Sequence, residues 1–294
     1  MSIQNLAGQS LGQYQLKELL GIGGMGAVYR AYQSSLQREV AVKVMSPELV
    51  SQTDYIDRFY REARTAAALG HAHIVPVHDY GVQGEISYVV MHLLTGGTLM
   101  DRLTQQAELG LPMPSLAETA DLLKQLASAL DYAHSQGVIH RDIKPNNIMF
   151  DNQGNAYLVD FGIAKLMTAS RVLTSSGVLI GTPPFMSPEQ WRAEEITPAT
   201  DQYSMGVMIY ALVTGHVPFE ADTPHGLMYK HLNEVPTPPQ TYRPDIPEPV
   251  SDVLNRAMAK VPSDRFPTVT AFSQAFDKAI QGMPGDKTNF FAAP

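Results

Sequence analysis

The chain has 294 residues, with 21 basic and 29 acidic side chains and a formal net charge of −8. This length can bury a sizeable core, either as one large domain or as two packed lobes. No block of lysine and arginine stands out, so the charge pattern does not indicate a nucleic-acid surface. The lack of cysteine excludes disulfides and thiolate metal sites.

Neither a basic region nor an apolar run opens the chain, so we expect no signal peptide. The most apolar helix-like stretch, residues 203–213, is shorter than the roughly 20 residues needed to cross a bilayer. This stretch is typical of a buried core helix. We therefore expect no membrane segment within this chain and a cytoplasmic location.

The first third of the chain is rich in β-branched and aromatic residues separated by turn residues, which predicts an antiparallel meander. The predicted strands cover residues 14–16, 27–32, 40–45, 75–77 and 86–91. A helix is predicted over 54–69, where Phe59, Glu62, Ala66 and Leu69 share one face.

From residue 95 onward the sequence becomes mostly helical. Recurring apolar residues predict helices over 115–135, 199–214, 227–233, 250–259 and 269–280. Proline is dense from 236 to 249, which indicates an irregular surface segment. Residues 282–294 are predicted to form a disordered tail.

A glycine cluster at residues 21–28 matches the pattern G-x-G-x-x-G-x-V. Glycines let a backbone approach phosphate oxygens closely and point N–H groups at them. A hairpin turn is the alternative structural interpretation, and dinucleotide-binding folds use a similar pattern. In those folds a helix follows the glycines, whereas here a strand follows and then Val-Ala-Val-Lys at 40–43.

Strand alternation places Lys43 on the same face as Ala41 and Met45, where an ammonium could meet nucleotide phosphates. Glu62 shares a helix face with apolar residues, and an unpaired charge pointing inward would be costly. We therefore predict an ion pair between Lys43 and Glu62.

The most informative stretch is His-Arg-Asp at 140–142 with Asn147, followed by Asp-Phe-Gly at 160–162. This spacing suits phosphoryl transfer, which needs a carboxylate to orient a hydroxyl and oxygen ligands to hold Mg²⁺. Asp142 is the candidate base, while Asn147 and Asp160 are the candidate metal ligands. Lys144 can neutralise charge on the transferred phosphoryl group. For one motif alone, a structural turn or a core aromatic would be a sufficient explanation.

These motifs, in this order, resemble the eukaryotic-type protein kinases, and specifically the bacterial serine/threonine kinases of that superfamily. The resemblance covers roughly residues 14–279. Its matching positions are 21–28, 40–43, Glu62, 140–142, Asn147, 160–162, 187–189, Asp201 and Arg265. It implies an α+β, bilobal fold with a small antiparallel-sheet lobe carrying one key helix and a larger, mainly helical lobe.

The resemblance also implies domain boundaries and a nucleotide site. The extension would cover 1–13, the smaller lobe 14–93 and the larger lobe 94–281. The implied cofactors are ATP and Mg²⁺, with Mn²⁺ as an alternative. The implied ATP-binding residues are Leu20, Gly21, Ile22, Gly23, Gly24, Met25, Gly26, Ala27, Val28, Ala41, Lys43, Met91, His92, Leu94 and Met149. An apolar column of Ala66, Val77, His140 and Phe161, a Glu189–Arg265 pair, and Asp201 beneath the catalytic loop are implied as well.

Lys144 and the Gly-Thr at 181–182 resemble serine/threonine-specific rather than tyrosine-specific kinases. Arg141 beside Asp142 suggests control by phosphorylation, because a guanidinium there suits a phosphate. Between 162 and 181 we favour Thr174, then Ser176, as autophosphorylation sites; an incidental polar loop is the alternative.

The expected partners are proteins with serine or threonine and the chain itself, since relatives autophosphorylate. Some relatives dimerise through the smaller lobe, and many are the cytosolic part of a membrane-anchored kinase, so both arrangements are expectations here. The rival function is a pseudokinase scaffold, which usually lacks residues of the Lys43, Asp142 or Asp160 type; all three are present.

Overall fold

The computed structural model describes residues 5–23, 26–46, 55–161, 183–281 and 290–291. These residues divide into two compact units, with the boundary between residues 95 and 96. The described part of the chain contains no helix that is both long enough and apolar enough to span a bilayer.

The first unit is built on a six-stranded sheet with the order β1-β2-β3-β4-β6-β5, and every neighbouring pair is antiparallel. The strands are β1 (Ser10–Leu11), β2 (Tyr14–Gly23), β3 (Gly26–Gln33), β4 (Arg38–Met45), β5 (Val77–Gln83) and β6 (Ile86–Met91). The helix α1 (Tyr55–Ala67) supplies Tyr55, Phe59 and Ala63 to a buried cluster with Met45 and Val89. The predicted fold class and the predicted helix are confirmed.

The predicted strand at 75–77 was placed too early. The structure begins this strand at Val77, because Pro76 has no N–H to donate to a ladder, and its carbonyl accepts the His92 N–H at 2.9 Å. The strand is half-buried along most of its length, so it carries no alternating pattern in the sequence. It also lies at the edge, with β6 between it and β4, so the sheet departs from a simple meander.

The second unit contains the helices α2 (Leu99–Glu108), α3 (Leu116–Ser135), α4 (Pro188–Trp191), α5 (Pro198–Thr214), α6 (Pro224–Asn233), α7 (Glu248–Ala257) and α8 (Val269–Ala279). It also contains a small antiparallel sheet of β7 (Ile148–Phe150) and β8 (Ala156–Leu158). The five predicted helices of this region are confirmed to within about one turn, whereas α2 and α4 were not predicted. Residues 200–210 of α5 are all buried, which places this helix at the centre of the unit.

A buried ion pair fixes the short helix α4 to the C-terminal part of the unit. Both Glu189 carboxylate oxygens accept bonds from Arg265, at 2.8 and 2.9 Å, and Thr200 donates a third at 2.9 Å. Burial raises the pKa of Glu189, but the bonds and charge of Arg265 outweigh it and hold that pKa below its usual value. The implied Glu189–Arg265 pair is therefore present.

Replacing Arg265 by methionine should lower the free energy of unfolding by about 3–5 kcal/mol, because Glu189 would remain charged and buried without its main partner. Urea unfolding at pH 7 measures this loss. The matched control is Arg192→Met, since Arg192 faces Glu194 at 3.8 Å with both side chains largely exposed; we expect it to cost less than about 1 kcal/mol. Equal losses in the two variants would contradict the assignment.

Candidate active site

The segment that carries the His-Arg-Asp motif is held by one buried carboxylate. Asp201, in the first turn of α5, accepts the backbone N–H of His140 at 2.8 Å and that of Arg141 at 2.7 Å. Its Oδ2 also lies 2.7 Å from His134 Nε2 on α3. Three groups that lie 60 to 67 positions before Asp201 in the sequence therefore converge on its carboxylate, which is 0% exposed.

Arg141 has a backbone φ of +67°, in the left-handed region that costs a side-chain-bearing residue of the order of 1–3 kcal/mol. Both of its backbone polar groups are fixed from outside the loop. Its N–H is bound by Asp201, and its carbonyl oxygen accepts from Gln190 Nε2 at 2.9 Å. Gln190 itself is oriented because its Oε1 accepts the Ser187 N–H at the start of α4.

Asp142 lies directly after this strained residue, and its carboxylate is held by two side chains. Lys144 Nζ lies 2.9 Å from Asp142 Oδ2. Asn147 Nδ2 donates to the Asp142 carbonyl oxygen at 2.7 Å and to its Oδ2 at 3.2 Å. The structure thus brings the predicted base, the predicted cation and one predicted metal ligand into direct contact.

The hydrogen bonds of Asn147 determine which of its side-chain atoms could bind a metal. Because its amide nitrogen serves Asp142, its amide oxygen is the atom that can coordinate a cation. Asp160 follows Val159, whose N–H donates to the Asn147 carbonyl at 3.0 Å and whose carbonyl oxygen lies 2.9 Å from His140 Nε2. An amide and a carboxylate oxygen are hard donors and fit a cation such as Mg²⁺. No cluster of three or more His, Cys, Asp or Glu suited to a metal occurs among the described residues, so phosphates or water would have to complete such a site.

Two members of the apolar column implied by the resemblance, His140 and Phe161, are in contact. His140 is 0% exposed, and its ring centroid lies 4.7 Å from that of Phe161, which is 6% exposed. Burial lowers the pKa of His140, although the charge of Asp201 acts in the opposite direction. A neutral imidazole is the form that packs against an aromatic ring at this position.

The described part of the glycine cluster lies at the end of β2 and the start of β3, with Gly21 opposite Val28 and Gly23 opposite Gly26. At Gly26, φ is +149° and a Cβ would collide with the Val44 carbonyl oxygen, so this glycine is required by backbone packing. A Cβ at Gly21 or Gly23 would meet no described protein atom within 4 Å. These two positions fit a backbone that opens toward a ligand. Gly24 and Met25 lie outside the described residues.

Strand register aligns the remaining predicted nucleotide residues of the first unit. Val28 lies opposite Lys43, and Lys43 lies opposite Val89. Two pairs further along, Ala41 lies opposite Met91. Leu20 and Ile22 are exposed on β2, and Ala27 is buried at the start of β3. The sheet therefore presents Val28, Ala41, Lys43 and Met91 from adjacent strands.

Glu62 lies on α1 with 12% of its side chain exposed, as its predicted inward position requires, and its Oε1 lies 3.5 Å from Arg61 Nε. The Lys43–Glu62 pair itself stays a prediction.

After Met91, the His92 N–H donates to Pro76, so His92 would meet a purine through its carbonyl oxygen. Leu94 is buried.

Two positioning residues were not found by sequence reasoning: His134 and Gln190. The Ser187-x-x-Gln190 spacing is a helix-capping signature that could have marked Gln190 as ordered. Its bond to Arg141 spans 49 positions and has no local signal. The proposed phosphosites Thr174 and Ser176, together with Thr182, lie outside the described residues.

Comparison with known proteins assigns the family. The profile described as "Protein kinase domain" matches residues 14–276. Serine/threonine-protein kinase PknA of Mycobacterium tuberculosis is 39% identical over 269 residues, covering 90% of this chain and 60% of the relative. PknB of Mycobacterium leprae is 36% identical, covering 92% of this chain and 44% of the relative. The chain thus spans less than two thirds of these curated relatives.

Among solved structures, the kinase domain of M. tuberculosis PknI is similar, with a TM-score of 0.75 and 27% identity over 93% of this chain and 98% of that chain. The family implies the use of ATP and a divalent metal. With the catalytic-loop geometry, the matched profile and these relatives in agreement, this chain belongs to the protein kinase domain family.

Proposed function

We propose that this chain is a serine/threonine protein kinase that transfers the γ-phosphate of ATP to serine and threonine hydroxyls of proteins. One observation carries the proposal: the Asp142 carboxylate is bound by both Lys144 and Asn147 on a loop whose backbone is anchored by Asp201. The names of the relatives, which are serine/threonine-protein kinases, support the same class.

In this proposal each group has a separate task. Asp142 accepts the hydrogen bond of the substrate hydroxyl and then its proton. Lys144, 2.9 Å from that carboxylate, is positioned to offset negative charge on the phosphoryl group as it moves. Lys43 binds nucleotide phosphates, and Glu62 orients Lys43. Leu20, Val28, Ala41, Met91, His92, Leu94 and Met149 contact the nucleotide, and the glycine hairpin covers its phosphates.

Mg²⁺ is the proposed metal, with Mn²⁺ as the alternative, and Asn147 and Asp160 would hold it. When bound, this ion would neutralise phosphate charge. The positive φ of Asp160, +64°, supports a ligand role, because strained backbone conformations of this kind concentrate at functional sites.

Protein substrates and autophosphorylation are the proposed partners and reaction. A homodimer through the smaller lobe, and a cytoplasmic location either as a soluble protein or as part of a membrane-anchored one, rest on the resemblance alone. The pseudokinase alternative is not favoured, because the Asp142, Lys144 and Asn147 side chains are in contact.

Replacing Asp142 by asparagine should reduce phosphoryl transfer by roughly 10²–10⁴-fold, the usual contribution of a general base. The chain should still bind ATP, because the substitution leaves the nucleotide contacts in place. Radiolabelled transfer to a basic protein, and binding of a fluorescent ATP analogue, measure the two properties. Asp252→Asn, at an exposed position of α7, is the control and should behave as the unmodified chain. Full transfer by the Asp142 variant would contradict the role.

Replacing Asp201 by asparagine should reduce kcat and also lower the free energy of unfolding by about 3 kcal/mol, because an amide NH₂ would face a backbone N–H in the buried site. Burial raises the pKa of Asp201, but His134 and the His140 N–H outweigh it and hold the pKa below the ordinary value of 3.8. The stabilisation is therefore complete above that ordinary value and is lost as pH falls below it. The Asp201→Asn chain should show a flatter acid limb in pH-dependent unfolding.

Asp131 provides the matched control for Asp201. Its carboxylate also accepts two consecutive backbone N–H groups, those of Val269 at 3.0 Å and Thr270 at 2.8 Å, but at the start of α8. Asp131 Oδ1 also lies 3.9 Å from His134 Nδ1, a longer contact than the 2.7 Å between Asp201 and the other ring nitrogen. Asp131→Asn should therefore lower stability and reduce kcat far less than Asp201→Asn does. A similar loss of kcat in both variants would show that Asp201 acts through general stability rather than by orienting the loop.

Autophosphorylation should modify the segment 163–180, with Thr174 first and Ser176 second, because Arg141 precedes the base and suits a phosphate. Phosphopeptide mapping after incubation with Mg-ATP measures this. Thr174→Ala should shift modification to Ser176 or abolish it. An active chain with no phosphate in this segment would rule out the switch.

A further inference from the structure

The C-terminal residues Phe290 and Phe291 lie against the second unit, within a segment for which the sequence predicts disorder. Phe290 is only 3% exposed. Its N–H donates to Glu118 Oε1 at 3.0 Å, and its carbonyl oxygen accepts from Arg102 Nη1 at 3.5 Å. Both backbone groups of Phe290 are therefore matched by side chains of appropriate charge.

The two phenyl rings make a second set of contacts. The Phe291 ring stacks on Phe150, with centroids 5.7 Å apart and planes inclined by 20°. It lies edge-on to the Phe290 ring at 4.9 Å. The Arg102 guanidinium lies 3.8 Å from the Phe150 centroid, so Phe150 is contacted by both the tail and Arg102.

Arg102, Glu118 and Phe150 together form what we call the tail cradle. Arg102 on α2 is 8% exposed and Glu118 on α3 is 7% exposed, which is unusual for charged residues and requires polar partners. The tail backbone supplies one partner to each. Two buried side chains of opposite charge therefore bind the N–H and the carbonyl of one tail residue, while Glu118 also accepts from Ser115.

Hydrogen bonds connect the tail cradle to Gly96 and Gly97, at the start of the second unit. Arg102 Nη2 donates to the Gly96 carbonyl at 3.1 Å. The Gly96 N–H donates to the Phe150 carbonyl at 2.9 Å, and the Phe150 N–H donates to the Gly97 carbonyl at 3.0 Å. A Cβ at Gly96 would collide with the Asp151 carbonyl oxygen, so this close approach is specific to glycine.

The strand β7 links this network to the candidate active site. It contains Phe150 and Met149, and it begins immediately after Asn147. Thr98 forms an isolated bridge with Met149, which adds a further tie between the Gly96–Gly97 turn and the strand. Displacement of Phe150 would therefore be transmitted to the residue proposed to contact the nucleotide and to the residue proposed to hold the metal.

We propose that the tail cradle is a binding site for Phe290 and Phe291 of this chain's own tail, and that docking fixes the Gly96–Gly97 turn and β7 so that the tail positions the nucleotide-binding residues. That the tail docks in the cradle is inferred from the contacts alone. That docking positions the nucleotide-binding residues rests on the proposed function.

The first measurement is hydrogen exchange of the Gly96 and Phe150 amides, both of which are bonded within the network. In the 294-residue chain with Phe290→Ala and Phe291→Ala we expect exchange to accelerate by about tenfold, because the aromatic contacts are lost. The matched control is Tyr229→Ala, which removes a ring that is 59% exposed on α6 and should leave both amides unchanged. Phe291→Ala alone removes a half-buried ring, so it keeps the test valid if the double variant does not fold.

A synthetic peptide of residues 286–294 supplies a readout that a purely structural loss would not show. Added to the double variant, it should restore slow exchange, whereas the same peptide with alanine at 290 and 291 should not. Unchanged exchange in the double variant, or equal effects of the two peptides, would overturn the docking site.

ATP kinetics test whether docking positions the nucleotide-binding residues. The double variant should raise the KM for ATP by about fivefold and leave kcat within about twofold. Faster exchange with an unchanged KM would overturn the positioning role. Failure of the proposed function is distinguishable, because an inactive unmodified chain would refute the kinase activity while the exchange data would still decide whether the tail docks.

Discussion

A negative charge buried in the first turn of a core helix is the constraint on which the catalytic segment depends. Asp201 has no exposed surface, and its carboxylate is compensated by two backbone N–H groups and His134. Its place in the first turn of α5 adds the favourable end of the helix dipole. A buried carboxylate stays ionised only if such donors are correctly placed, so its charge and the loop conformation stabilise each other.

The same helix organises the rest of the second unit. Thr200, next to Asp201, donates to Glu189, and Gln202 bonds the backbone of Phe266 and Thr268 ahead of α8. Gly206 allows α7 to approach closely, since a Cβ there would lie 3.0–3.1 Å from the side chains of Met258 and Ala257. The polar residues near the N-terminus of α5 thus fix the surrounding segments, while its apolar residues fill the core.

An element can be predicted from the sequence when the residues that determine it lie close together in the sequence. The helix α1 could be predicted because its apolar residues recur with a helical period, and the observed bounds differ from the predicted ones by one or two residues. The helix α2 could not, because Leu99 and Arg102 are the residues it buries and Arg102 is charged. The motif residues Asp142 and Asn147 could be identified from spacing, and their contact follows from a short loop.

Long-range contacts were beyond sequence reasoning for a physical reason. The bond from Gln190 to Arg141 joins positions 49 apart, and that from Phe290 to Glu118 joins positions 172 apart. Neither residue belongs to a periodic pattern, so its partner is decided only when separate elements pack. Such contacts depend on the fold rather than on the neighbouring sequence.

Positive φ values at Arg141 and Asp160 show how these remote contacts bear on chemistry. Each conformation is unfavourable by itself and is held by bonds to other segments. Asp201 and Gln190 bind the backbone of Arg141. Val159, the residue before Asp160, is bonded to Asn147 and lies within hydrogen-bonding distance of His140. Without these bonds, the backbone at both residues would relax to an unstrained conformation. The candidate base and the candidate metal ligand therefore keep their orientation because buried acceptors and donors in other segments of the chain oppose that relaxation. A short motif therefore needs a large unit around it.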